Sequence, residues 1–170
     1  MTTPVTELDA RYSEPEASAV GWADAVERLA VAELSWISTV RPDGRPHVTP
    51  LITVMHQGVL HFCTGPEERK ARNLAHNPAV ALTTGRNALH GGTDLVVEGT
   101  AERVTDPALL RELADAWVAK YGEEWRFEVG TDAFRHAGGD GEAWVYAVRA
   151  TQAFGFGKEP YSQTRWRFAP

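Results

Sequence analysis

The stretch His61-Phe-Cys-Thr-Gly-Pro-Glu-Glu-Arg-Lys-Ala-Arg-Asn-Leu-Ala-His-Asn-Pro-Ala-Val-Ala-Leu82 dictates the order strand, turn, helix, strand. β-Formers run from Val59 to Thr64 and break at Gly65-Pro66. A helical pattern follows from Glu67 to His76, stops at Asn77-Pro78, and gives way to a second strand. Arg69 and Lys70 fall in the first turn of that helix, where unpaired backbone N–H groups and the positive end of the helix dipole already gather. Two side-chain cations added there suit the spot to a phosphate. The competing reading is a solvated basic turn.

Working outward, the chain before this stretch reads as a meander. Trp36 to Arg41 is rich in β-formers, Pro42-Asp43-Gly44 is a strong turn, and Arg45 to Met55 is the return strand. His56-Gln57-Gly58 then turns the chain into Val59–Thr64. Pro50 cannot donate to a ladder, which predicts a bulge in the second strand and free backbone groups beside it. From Glu16 to Leu34, apolar residues keep a 3.6-residue spacing opposite a charged face, predicting an amphipathic helix. Residues 1–14 hold few apolar positions and read as a mobile N-terminal arm, with 15–170 as a single domain.

After the central stretch, Ala79 to Thr84 and Thr93 to Val104 read as strands. Thr105-Asp106-Pro107 opens a helix that runs to Tyr121 and ends at Gly122. Glu123 to Asp140 reads as irregular, with the glycines of 137–141 marking a loop. Ala143 to Phe156 and Ser162 to Phe168 are the last strands, and Gly155 and Gly157 flank Phe156 as the marks of a bulge or of a close backbone approach at a subunit interface. About seven strands joined by tight turns must pair antiparallel, so with peripheral helices the fold class is α+β, a mostly antiparallel small barrel.

Composition narrows the function. Over 170 residues the net charge is −6, which argues against nucleic acid as a partner, because that binding rests on a basic face. No apolar run approaches the length of a membrane span. Cys63 is the one cysteine, so no internal disulfide forms, and with no basic-then-apolar leader the expected location is cytoplasmic. There is no Gly-x-Ser-x-Gly elbow, Walker loop, His-Glu-x-x-His or Cys-x-x-Cys, which leaves hydrolase, nucleotidase and metal readings without support. The six histidines show no ligand spacing, so no metal site is expected and haem is the less favoured cofactor.

In order along the chain stand the Pro-Asp-Gly hairpin, Arg45-Pro-His-Val-Thr-Pro-Leu51, Phe-Cys-Thr, Arg-Lys, Asn-Leu, Asn-Pro, Val-Val-Glu-Gly99 and a terminal Arg-Trp-Arg-Phe. This series resembles the FMN-binding split β-barrels related to pyridoxamine 5′-phosphate oxidase, including their deazaflavin-using relatives. The resemblance implies a homodimer with a flavin in grooves between the subunits. By it, Arg69 and Lys70 hold the cofactor phosphate with Cys63 and Thr64 at the strand end. Backbone groups of His47, Val48, Thr49, Pro50, Leu51 and Ile52 face the ring, Asp94 stands near a cofactor-contacting position, and Arg167 reaches the flavin across the dimer. Trp166, beside it, is placed to stack on a bound ring or a substrate. Two departures remove the parent enzyme's grip on its substrate: Ile52 replaces a lysine, and Gln163-Thr164-Arg165 replaces an Arg-Leu-His motif. The expectation is an FMN-dependent oxidoreductase carrying out two-electron redox of a small organic molecule, without catalytic side chains and not pyridoxamine phosphate oxidase itself. The alternatives are a reductase using F420, with Arg45, Arg72 and Arg86 lining a groove for its acidic tail, and a haem-binding or non-catalytic cofactor-binding protein.

Overall fold

Alternating β-branched, aromatic and polar residues fold into one antiparallel sheet carrying three helices. The computed structural model describes residues 3–136 and 141–169. β1 (Val5–Leu8) and a 3-10 turn at Ala10–Tyr12 precede α1 (Trp22–Val31). β2 (Ser35–Val40), β3 (Pro46–Leu51), β4 (Val54–His56) and β5 (Val59–Thr64) lead to α2 (Arg69–His76). β6 (Ala79–Thr84) and β7 (Thr93–Val104) lead to α3 (Pro107–Tyr121), and β8 (Phe127–Val129), β9 (Phe134–His136), β10 (Glu142–Lys158) and β11 (Tyr161–Arg167) complete the chain.

The long strand β10 is the spine. β7 pairs along one of its edges, while the other edge is shared by β5, from Trp144 to Val148, and β11, from Gln152 to Lys158. On the β7 side the order continues through β6 and β2 to β3, and on the β5 side it ends at β4. Among the described residues β3 and β4 are joined by the chain but do not pair, so the sheet curls without closing. The architecture is therefore the α+β split barrel that the sequence leads one to expect.

Two cores form. Ile37, Phe62, Leu82, Leu95, Val97 and Trp166 fill the first, covered by Ala25 and Leu29 of α1. Leu110, Leu113 and Trp117 of α3 bury against Val54, Val104, Val145, Phe127 and Phe134 in the second. Asp106 caps α3 by accepting from Ala108 and Leu109 N–H, and Gly122 ends it at φ 90°, a left-handed value open to glycine.

α2 starts at Arg69 rather than Glu67, with Glu68 as its N-cap, and the structure departs further from the sequence reading at five places. Val5–Leu8, expected within a mobile arm, pairs with β11 as a strand. The first helix begins at Trp22 rather than Glu16, because Val20 N–H is taken by Thr164 Oγ1 at 2.9 Å and the chain stays extended to Gly21. The expected return strand Arg45–Met55 divides at Ile52-Thr53, where the Tyr121 hydroxyl and Lys120 both donate to Thr53 O. No bulge forms at Pro50, since β2 and β3 keep one register from Ser35–Leu51 to Val40–Pro46 and the proline sits on an edge strand. Finally, β8 and β9 form inside the segment read as irregular: Phe127 and Phe134 stack at 4.8 Å and meet the Trp117 ring edge-on. Residues 137–140 of the expected glycine loop lie outside the described residues.

Candidate functional site

The start of α2 is built by its N-cap residue, Glu68, in extended conformation. An N-cap Ser, Thr, Asp or Asn would turn its oxygen onto the first N–H groups of the helix. The longer Glu68 side chain makes no such bond; it folds back to accept from Gly65 N–H at 2.8 Å and from the Lys70 ammonium. The first-turn N–H groups therefore have no side-chain acceptor. Burial works against the ionised Glu68, but Lys70, the Gly65 N–H and the Thr64 hydroxyl outweigh it and hold the carboxyl below its ordinary range.

Lys70 is the unusual member, a lysine at 8% exposure on a helix face shared with Ala71, Asn73 and Leu74. Arg69, beside it, is exposed and makes no ion pair among the described residues. Asn73 Nδ2 donates to Thr39 Oγ1 at 2.9 Å, and Thr39 stands opposite His47 in the β2–β3 register. That bond brings His47 towards the first turn of α2. Burial lowers the His47 pKa first, and Arg41, Lys70 and Arg69 lower it further. Three cations thus converge on a neutral imidazole in an otherwise acidic protein. The buried Thr64 hydroxyl stands beside the Glu68 carboxylate, which it helps to keep ionised, and makes no full-geometry bond to it; the Arg41 Nε is likewise buried without a partner. A phosphate monoester fits this donor set: the Arg69 guanidinium, the Lys70 ammonium, the Thr64 hydroxyl and an uncapped helix start.

The structure thus draws together His47, Cys63, Thr64, Arg69 and Lys70. Burial pushes the Cys63 thiol up to about 12, which makes it an apolar neighbour rather than a nucleophile. Along β3, His47, Thr49 and Leu51 are half-buried while Val48 and Pro50 are exposed. Asp94 is elsewhere in the chain: it pairs with Lys158 at 3.0 Å and lines a groove of about 980 Å3 with Trp36, Arg86 and Tyr161. Arg167 is also apart, paired with Glu7 of β1 at 2.5 Å.

Trp166 requires a correction. It is fully buried, packed on Trp22 with ring centroids 5.3 Å apart, and a Cβ on Gly155 would come within 2.6 Å of its ring. It belongs to the core and cannot stack on a substrate. The close approach also accounts for Gly155, which needs no subunit interface to explain it. The sequence reading missed Arg41. Its signal was the hairpin itself, since Arg41 N–H bonds to Arg45 O across the turn and sets the guanidinium two residues from Thr39.

An unclosed antiparallel sheet with three helices defines a split barrel, here with a cationic corner at the start of its second helix. Residues 22–153 match the family described as pyridoxamine 5′-phosphate oxidase, and the chain belongs to that family. The pyridoxine/pyridoxamine 5′-phosphate oxidase of Bacteroides thetaiotaomicron is 34% identical over 99 residues, which are 58% of this chain and 38% of that protein. The match spans little more than a third of that relative's length. Among solved structures, a heme-binding protein from Mycobacterium smegmatis superposes with a TM-score of 0.66 at 16% identity, covering 87% of this chain and 59% of that one. A FAD-binding protein from the same organism does so with a TM-score of 0.57 at 19% identity, covering 88% and 98%. No helix of the described residues is long and apolar enough to cross a membrane.

Proposed function

We propose that this chain is a flavin-nucleotide-binding oxidoreductase in which Thr64, Arg69 and Lys70, with Arg41 beside them, hold the phosphate of FMN. The observation that carries this reading is the buried Lys70 ammonium, set at a helix start whose N–H groups no side chain caps. Charge-assisted hydrogen bonds from these donors are worth about 1.5–3 kcal/mol each. The outer edge of β3 from His47 to Leu51 is the adjoining surface for the ring. When bound, FMN supplies the hydride chemistry of a two-electron exchange with a small organic molecule. The chain's own part is to bind and orient, consistent with an inert Cys63 thiol and a neutral His47.

Several observations sharpen this reading. Trp36 and Val48, about half exposed on the β2–β3 hairpin, form an apolar face of the kind a second copy covers, supporting a homodimer with the cofactor between subunits. Asp94 and Arg167 contribute only if the dimer brings them to the groove. Arg45 is engaged by Asp43, Arg72 by Glu67, and Arg86 lies on the Asp94 groove. Among the described residues these three arginines form no continuous basic track for the acidic tail of F420, so FMN is favoured. Ile52 is apolar and the buried Thr164 hydroxyl is taken by Val20 N–H, which leaves the parent enzyme's substrate grip unreplaced at those two positions, so pyridoxamine phosphate is not the proposed substrate.

The test is the absorption spectrum of the purified protein together with titration of the cofactor-stripped protein with FMN. The double change Arg69→Ala, Lys70→Ala is expected to weaken FMN binding at least tenfold, about 1.4 kcal/mol, with the fold intact. Unchanged affinity, or a haem or deazaflavin spectrum, would overturn the reading.

A further inference from the structure

The carboxylate of Glu68 occupies donors that the proposed phosphate needs. One oxygen takes Gly65 N–H and the other takes the Lys70 ammonium. The two partners differ in their freedom, since the Lys70 side chain is 10% exposed and that of Glu68 is 52% exposed. Lysine is fixed in the corner, whereas glutamate has open water to turn into. A carboxylate and a phosphate dianion cannot share these donors, because like charges in contact repel strongly where water is partly excluded.

We infer that Glu68 is a resident anion that sets the specificity of the corner: it neutralises Lys70, swings outward when a phosphate monoester enters, and rejects anions that bring no more than a carboxylate. A ligand carboxylate would only replace what Glu68 already supplies, with no gain in bonds. A phosphate monoester brings three terminal oxygens and nearly two charges, enough to engage Lys70, Arg69, the Thr64 hydroxyl and the helix N–H groups together. Glu68 thereby lowers the affinity of every anion for the corner, and a ligand needs the charge and bonds of a phosphate monoester to displace it. This inference rests on the phosphate reading of the corner given above.

Its test compares FMN with riboflavin, which has the same ring and no phosphate, by quenching of flavin fluorescence on the cofactor-stripped protein. Glu68→Gln is expected to bind FMN at least tenfold more tightly than the unaltered protein, with riboflavin affinity within twofold. Glu68→Ala, which removes the carboxylate and leaves the first-turn N–H groups uncapped, should do the same and guards against a folding artefact of either variant. FMN affinity that stays level or falls in both variants, or riboflavin affinity that shifts equally, would overturn the inference. The double change Arg69→Ala, Lys70→Ala separates the two levels. A tenfold loss there with no gain at Glu68 rejects the role of Glu68 alone; no loss there rejects the phosphate corner and the inference with it.

Discussion

Asn73 Nδ2 and Thr39 Oγ1 lie 2.9 Å apart, between side chains that are both sealed from solvent. This bond spans 34 residues of sequence and is the polar tie between α2 and β2. Lys70 and Asn73 are three residues apart and so share a helix face, while Thr39 faces His47 across the hairpin. One amide therefore fixes the position of the cationic turn relative to the edge strand.

Asn73→Ala should reveal what that tie contributes. It leaves the Thr39 hydroxyl short of a buried partner and removes side-chain volume, for an expected loss of about 1–3 kcal/mol in denaturant-measured stability. FMN affinity should fall as well, although no cation has been removed. An unchanged unfolding midpoint would show that the bond contributes nothing net.

His47 should report occupancy of the corner. Its pKa is held down by burial and then by Arg41, Lys70 and Arg69, and an anion among those cations offsets their effect on the imidazole. Its pKa should therefore rise when inorganic phosphate is added, followed by the imidazole proton resonances during a pH titration. A His47 titration indifferent to phosphate would place the anion elsewhere.

How far the sequence could be read depended on how local each cause was. The strands Val59–Thr64, Ala79–Thr84 and Thr93–Val104 and the cap at Asp106 declare themselves in contiguous residues, and they match the structure residue for residue. β8 and β9 were illegible because they are three residues long and exist only where Phe127 and Phe134 meet Trp117, well upstream in α3. β1 is a strand only because β11 is there to pair with it. The same holds at the site. Arg69 and Lys70 are visible as a helix start, but Arg41 joins them only through the hairpin register, and the inward turn of Glu68 depends on Gly65 and a buried lysine. Trp166 was misread for the same reason, since sequence neighbourhood with Arg167 says nothing about which face of β11 points into the core.

The β10 irregularity should be intolerant of a side chain at Gly99. The register between β7 and β10 shifts between Ala150 and Gln152, and a Cβ on Gly99 would come within 2.0 Å of Arg149 O and 2.9 Å of Ala150 Cα. Gly99→Ala must displace backbone, so it should destabilise by at least about 1–3 kcal/mol. Gly155→Ala meets the Trp166 ring instead, and a side chain yields more easily than a strand, so its effect on the thermal midpoint should be smaller. A reversed order would show that the bulge is the softer of the two.

His61 predicts a specific loss of stability in mild acid. It is 3% exposed, and its Nδ1 sits 3.0 Å from Val59 O, which as an acceptor fixes the proton on that nitrogen. Burial lowers the imidazole pKa from 6.5 to about 4; the Val59 carbonyl opposes this, and His56 and Arg149 add to it. Above pH 6.5 neither the folded nor the unfolded chain binds the proton, and the full stability is present. As the pH falls from 6.5 towards 4, the unfolded chain takes up a proton that the folded chain refuses, so stability is lost across that window. The loss is complete below the folded pKa and amounts to about 3 kcal/mol. Denaturant-measured stability of the unaltered protein and of His61→Gln, taken at intervals from pH 7 to pH 4, isolates this contribution, because His47 and the carboxylates act in both. The variant should start less stable and lose less on acidification. Parallel curves would mean that the imidazole of His61 takes its proton inside the fold as readily as outside it.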